Sequence, residues 1–105
     1  MASPELIKRW KVTESLLERA RRELPDFPAH HEKQRAALLA EYREFLDHNE
    51  LGLAFDILEQ LGHLVPVRGG FWRDLELAAE NMGLVDRLPA LRKAFSEAPV
   101  PPKSR

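Results

Sequence analysis

Apolar residues recur along this chain at the spacing of an α-helix, in segments separated by proline, glycine and asparagine. Ser3-Pro4-Glu5 reads as the start of the first segment: the serine hydroxyl can accept an orphan backbone N–H, and proline lacks one to satisfy. Leu6, Ile7, Trp10, Leu16, Leu17, Ala20 and Leu24 then mark a first helix, whose middle the Lys11-Val12-Thr13 run is expected to loosen. Pro25 and Pro28 end it, because each pushes its preceding residue toward extended geometry. A second helix is predicted from about Ala29 to Asp47, with Leu38, Leu39, Tyr42, Phe45 and Leu46 on one stripe and Glu41, Glu44 and His48 largely opposite. His48-Asn49-Glu50 breaks the pattern, and a third helix is predicted from about Glu50 to Gly62. It buries Leu51, Ala54, Phe55, Leu58 and Leu61, with Leu53 and Ile57 widening the stripe. So short a break makes these two helices antiparallel neighbours.

The stretch from Leu64 to Gly70 reads as a loop, since Pro66 removes a donor and Gly69-Gly70 permit left-handed dihedrals. A fourth helix follows from Phe71 to Met82, with Trp72, Leu75, Ala78, Ala79 and Met82 inward, and Gly83 stands where a left-handed cap belongs. Asp86 is placed to cap a last helix reaching about Ser96, with Pro89 in its first turn and Leu88, Leu91 and Phe95 facing the core. From Ala98 to Arg105 there are three prolines and no periodicity. No alternating segment is long enough for a strand, and no repeat of solenoid length is present. The expected fold is therefore all-α: a compact bundle of about five helices forming one domain over residues 1–97, with a flexible, proline-rich tail over 98–105.

Length agrees with that reading, since 105 residues is near the usual size of one domain with one core. The absence of cysteine excludes disulfides, thiolate zinc sites and thiol nucleophiles together. The first residues lack the apolar run of a secretion signal, and no stretch of about 20 apolar residues occurs, so a soluble, cytoplasmic protein is expected, with no membrane association. The net charge of −1 conceals an asymmetry. Residues 41 to 86 hold three Lys/Arg against ten Asp/Glu, whereas residues 1 to 40 hold eight against six and residues 87 to 105 hold five against one. An acidic middle is a poor binder of nucleic acid, whose recognition runs on Lys and Arg, and it suits a basic protein instead.

Motifs for chemistry are lacking. His30, His31, His48 and His63 form no HExxH pair and no established ligand spacing, so no metal or other cofactor and no catalytic residue is assigned. His48 and His63 fit helix ends, where a protonated imidazole is favoured by the helix dipole. Gly69-Gly70 before a helix lacks the preceding strand and the following Gly-Lys-Ser/Thr of a phosphate cradle. Trp10, Phe71 and Trp72 stand at core spacing. The Lys8-Arg9-Lys11 and Arg19-Arg21-Arg22 clusters are interspersed with Glu14, Glu18 and Glu23 and read as a mixed solvated face. One arrangement is less ordinary: Glu41, Glu44 and Asp47 repeat at i, i+3 and i+6, where like charges cost a few tenths of a kcal/mol per pair. Asp56 with Glu59, and Glu76 with Glu80, add negative charge on the next two helices.

Glu41-Tyr-Arg-Glu-Phe-Leu-Asp-His-Asn-Glu-Leu-Gly-Leu-Ala-Phe-Asp-Ile-Leu-Glu59, followed by Phe71-Trp-Arg-Asp-Leu-Glu-Leu-Ala-Ala-Glu-Asn-Met-Gly-Leu84, resembles the MafI-like immunity proteins. These are small helical bacterial proteins encoded beside polymorphic or contact-dependent toxins, and the resemblance covers about residues 38 to 84. It implies a protein that binds a cognate toxin, often a nuclease, in the cytoplasm and blocks its active site. A nuclease needs a basic substrate groove, and an acidic surface can occupy it as a phosphate mimic while steering association. On that expectation Glu41, Glu44, Asp47, Glu50, Asp56 and Glu59 are the partner contacts, each carboxylate accepting charge-assisted hydrogen bonds from Lys or Arg. The alternative is a helical adaptor that holds its partner in an apolar groove.

Overall fold

A computed structural model describes residues 3–98 of the chain. Five α-helices follow one another: α1 (Pro4–Arg22), α2 (Glu32–Asp47), α3 (Leu51–Leu64), α4 (Gly69–Met82) and α5 (Leu88–Glu97). Two single 3-10 turns, Ala29–His31 and Val85–Arg87, lead into α2 and α5, and no strand occurs among the described residues. The chain is all-α, as its periodicity implies. The tail expected over 98–105 lies, from residue 99 onward, outside the described residues.

α1 begins as the sequence dictates. The Ser3 hydroxyl accepts the Leu6 N–H at 3.2 Å, with Pro4 at the first helical position. The helix ends at Arg22, two residues before the expected Leu24, with Arg19, Arg21 and Arg22 complementing the negative end of its dipole. Its middle is not loosened. Thr13 is buried, and its hydroxyl accepts a hydrogen bond at 2.7 Å from Asn81 Nδ2, which also donates to the Arg9 carbonyl at 3.0 Å. A satisfied polar group is tolerated in a core. Leu6 and Ile7 are exposed despite their spacing. The cause is register: Thr13 meets Asn81, Arg19 meets Asp74 and Glu23 meets Gly70, so α1 runs antiparallel to α4, and its first turn extends past the end of α4 at Met82.

The second helix starts three residues later than expected, since the turn at Ala29–His31 is 3-10. Leu38 and Tyr42 are buried, while Leu39, Phe45 and Leu46 are half-buried against the core. Asn49 takes a left-handed φ of 57°, the Asn49 N–H reaches the Leu46 carbonyl and the Glu50 N–H the Phe45 carbonyl. This paired bonding closes the helix and turns the chain directly into α3. α3 runs two residues past Gly62, which is not a helix stop but a point of close approach: a Cβ there would lie 2.9 Å from Trp72 and 3.1 Å from Phe71 Cζ. Leu53, expected to widen the buried stripe, is instead 44% exposed.

Gly69 and Gly70 belong to the first turn of α4 and neither has a positive φ, so the expected loop is shorter than its glycines imply. A Cβ on Gly69 would lie 3.1 Å from the Phe95 ring and one on Gly70 3.3 Å from Glu23 Oε1, so their role is close approach. Gly83 has φ 78° and ends α4 as anticipated, with its own N–H on the Glu80 carbonyl and the Leu84 N–H on that of Ala79. Asp86 does not cap the last helix: it is exposed in the 3-10 turn, and no side-chain hydrogen bond caps α5. Pro89 does lie in the first turn. Leu88 and Leu91 are buried, but Phe95 is half-exposed against Gly69. One apolar cluster joins Leu17, Tyr42, Phe55, Leu58, Phe71, Trp72, Leu75 and Leu91, so every α-helix contributes to it. No described helix is long and apolar enough to cross a membrane.

Candidate functional site

Three helix ends meet on one side of the bundle. α2 ends at Asp47, α3 begins at Leu51, and α4 ends at Met82 close enough to α3 that Leu84 and Arg87 share a cleft with Glu50 and Asp56. The two terminating helices direct partial negative charge toward this corner, and of the six expected contacts Glu50 and Asp56 line it, whereas Asp47 lines the cleft between α1 and α2. Glu41, Glu44, Asp47 and Glu50 are all exposed, and among the described residues none of their side chains takes part in a salt bridge or side-chain hydrogen bond. Glu44 and Asp47 lie in the last turn of α2, where carboxylates oppose the dipole. The nearest relief is His48, whose Nδ1 lies 2.8 Å from the Glu44 carbonyl. That backbone contact, with the Glu44, Glu50 and Asp47 carboxylates adding to it, raises the imidazole pKa above its ordinary value.

Asp56 and Glu59 differ from the other four. The Arg87 guanidinium binds Asp56 Oδ1 at 2.9 Å and also pairs with Glu59, while lying over the Phe55 ring at 5.0 Å from its centroid. Burial opposes the charge on Arg87, but its two carboxylate partners outweigh that and raise its pKa. The acidic pattern on α3 is therefore partly compensated from within. The same holds on α4, where Arg73 and Arg92 clasp Glu76 and Arg92 also approaches Glu80.

The corner has an apolar centre that carboxylate spacing alone does not reveal. Glu50, Gly52, Leu53, Asp56, Leu84 and Arg87 line an open cleft of about 440 Å³. Leu53 is 44% exposed, and Val85 beside Leu84 is 67% exposed. An apolar patch rimmed by charged side chains is the anatomy of a protein-binding surface. Two other concavities are less one-sided. Between α1 and α2, a cleft of about 400 Å³ mixes Glu14, Glu18 and Asp47 with Arg22 and Arg43. Between α1 and α4, Val12, Leu16 and Leu77 form a shallow apolar groove edged by Glu80 and Asn81.

Among the described residues no three His, Cys, Asp or Glu side chains converge as a metal set. His30 and His31 stack on each other at 4.3 Å, and His63 stacks on Trp72 at 4.9 Å. What the corner can do chemically is accept hydrogen bonds from cations and bury an apolar side chain. Sequence reasoning located the carboxylates but missed Arg87, Leu53 and Val85. Leu53 was read with Ile57 as part of the buried stripe, and of that i, i+4 pair only Ile57 is buried.

No family model, curated protein or solved structure matches this chain. The functional reading rests on the corner itself.

Proposed function

We propose that the chain is a non-catalytic binding protein that neutralises a basic partner, acting as the immunity proteins it resembles act on a cognate toxin. The observation that carries this reading is the set of exposed carboxylates without a salt bridge among the described residues, Glu41, Glu44 and Asp47 along the second half of α2 and Glu50 just after it. Such an array costs the free molecule like-charge repulsion and an unfavourable dipole interaction. It becomes favourable when Lys and Arg of a partner settle on it, and its field accelerates their encounter. A nuclease toxin fits this chemistry, since its substrate groove must be basic and the carboxylates would stand where phosphates bind. Asp56 and Glu59 contribute less directly, because Arg87 already holds them.

The test is co-expression with the protein encoded in the adjacent reading frame, which on this proposal is the toxin. The wild-type chain should rescue growth and bind that protein with an affinity that falls as salt rises. Replacing Glu41, Glu44 and Glu50 together by lysine should abolish rescue, and unchanged affinity and salt dependence in that triple variant would sink the proposal. The adaptor reading uses the α1–α4 groove of Val12, Leu16 and Leu77 instead and expects binding that depends weakly on salt.

A further inference from the structure

Of the five glycines in the chain, four have an internal reason to be glycine. Gly62, Gly69 and Gly70 each face another side chain so closely that a Cβ would lie within 3.3 Å of it, and Gly83 has a left-handed φ. Gly52 has neither. It is exposed in the first turn of α3, its φ is not positive, and a Cβ built there meets no atom within 4 Å. A helical glycine loses more backbone entropy on folding than alanine does, so the isolated molecule gains nothing from it. Its position supplies the missing reason. Gly52 lines the corner cleft between Glu50 and Leu53, facing Leu84 and Arg87, where any side chain would occupy space that the cleft now leaves open.

We infer that the bare backbone at Gly52 admits a basic protein segment, which seats one apolar side chain between Leu53 and Leu84 and places flanking Lys or Arg on Glu50 and Asp56. The inference rests on the basic-partner reading and adds an apolar anchor to it. Three independent features converge here: a glycine with no internal role, the exposed Leu53 facing the partly buried Leu84, and carboxylates at the rim. Charge complementarity selects a cationic occupant, since Glu50 has no internal counter-ion among the described residues while the only cation lining the cleft, Arg87, is engaged with Asp56 and Glu59. Burial of an apolar anchor inside a charged rim is also how a few residues come to dominate an interface.

The experiment uses the full chain as bait for a random dodecapeptide display library, followed by affinity measurements with the enriched peptides. They should combine a large apolar residue with Lys or Arg within three or four positions. Gly52→Leu should weaken them by about tenfold or more while leaving the melting temperature equal or higher, and Gly52→Ala should weaken them less. Leu53→Asp should act as Gly52→Leu does. Basic peptides that need Glu41, Glu44 and Glu50 yet bind Gly52→Leu as well as wild type would overturn the anchor and leave the basic-partner reading standing. Enrichment of acidic or uncharged peptides, or no enrichment, would remove both.

Discussion

Tyr42 donates its phenolic proton to Glu18 Oε2 across 2.6 Å, and this bond ties α1 to α2. α2 packs chiefly on α3, so the seam with α1 depends on a small number of side chains. Tyr42 is fully buried; burial first, and then the Glu18 carboxylate, push its pKa upward. For Glu18, partial burial opposes ionisation, but the hydrogen bonds from Tyr42 and Arg21 prevail and hold its carboxyl below the ordinary 4.5. Tyr42→Phe should destabilise the fold by about 1–2 kcal/mol, because it leaves a partly buried carboxylate with Arg21 as its one remaining side-chain donor among the described residues. Chemical denaturation measures this, and a double-mutant cycle with Glu18→Gln isolates the pair.

The same pair fixes a pH window. A carboxyl whose folded pKa is depressed stabilises the native state above its unfolded value and loses that contribution as pH falls through the folded one. A tyrosine whose folded pKa is raised contributes below its unfolded value of 10.0 and loses that as pH rises further. Wild type and Tyr42→Phe should therefore differ most on the plateau between these limits and converge in acid, below pH 4.5. A stability difference that persists undiminished well below that point would remove Glu18 as the partner responsible.

How much of this was legible beforehand varies with the kind of signal. Helix existence was legible because Leu38 with Tyr42, and Leu51 with Phe55 and Leu58, recur at the period that one buried face imposes. Gly83 was legible because helices commonly close on a left-handed residue, most often glycine, and Asn49 serves the same end. The roles of Gly69 and Gly70 were not, since close approach to Phe95 and Glu23 depends on helices far away in sequence. Nor was the pairing of Arg87 with Asp56 and Glu59, which spans about thirty residues and depends on how the turn before α5 folds over α3. Local pattern shows which residues are charged, and tertiary register decides which charges remain uncompensated.

Gly62 and Gly83 should respond to alanine for different reasons. At Gly62 the added methyl would press on Phe71 and Trp72, whose rings pack edge to face at 5.1 Å. The backbones of α3 and α4 must then separate, and overpacking of this kind costs about 1–3 kcal/mol. At Gly83 the methyl meets no atom within 4 Å, and the cost comes from the left-handed φ alone, about 1–2 kcal/mol. Urea unfolding measures both losses. Near-UV circular dichroism separates them, because only Gly62→Ala should perturb the Trp72 environment.

His48 should titrate above its ordinary value of 6.5, since the Glu44 carbonyl and the neighbouring carboxylates favour its charged form. For a histidine with a raised folded pKa, the stabilisation is complete below the unfolded value and is lost as pH rises through the folded one. His48 should therefore contribute a negative slope of stability against pH between 6.5 and its folded pKa, and His48→Gln should remove that contribution. The imidazole proton shift followed by NMR gives the pKa directly. A value at or below 6.5 would show that the acidic corner does not act on this ring.

Arg87 should separate folding from binding. Its guanidinium joins the turn before α5 to Asp56 and Glu59 on α3 and covers Phe55, so Arg87→Met should destabilise the fold. With Arg87 and Asp56 each about a third or more exposed, solvent screening limits the loss to about 1 kcal/mol. Binding should move the other way. Removing the internal cation leaves two more carboxylates beside Glu50, so a basic partner should associate faster, with a steeper salt dependence. Stopped-flow association at low and high salt distinguishes the outcomes. If Arg87→Met slows association at low salt, Arg87 itself supports the partner, and the carboxylates it holds serve the fold before they serve the interface.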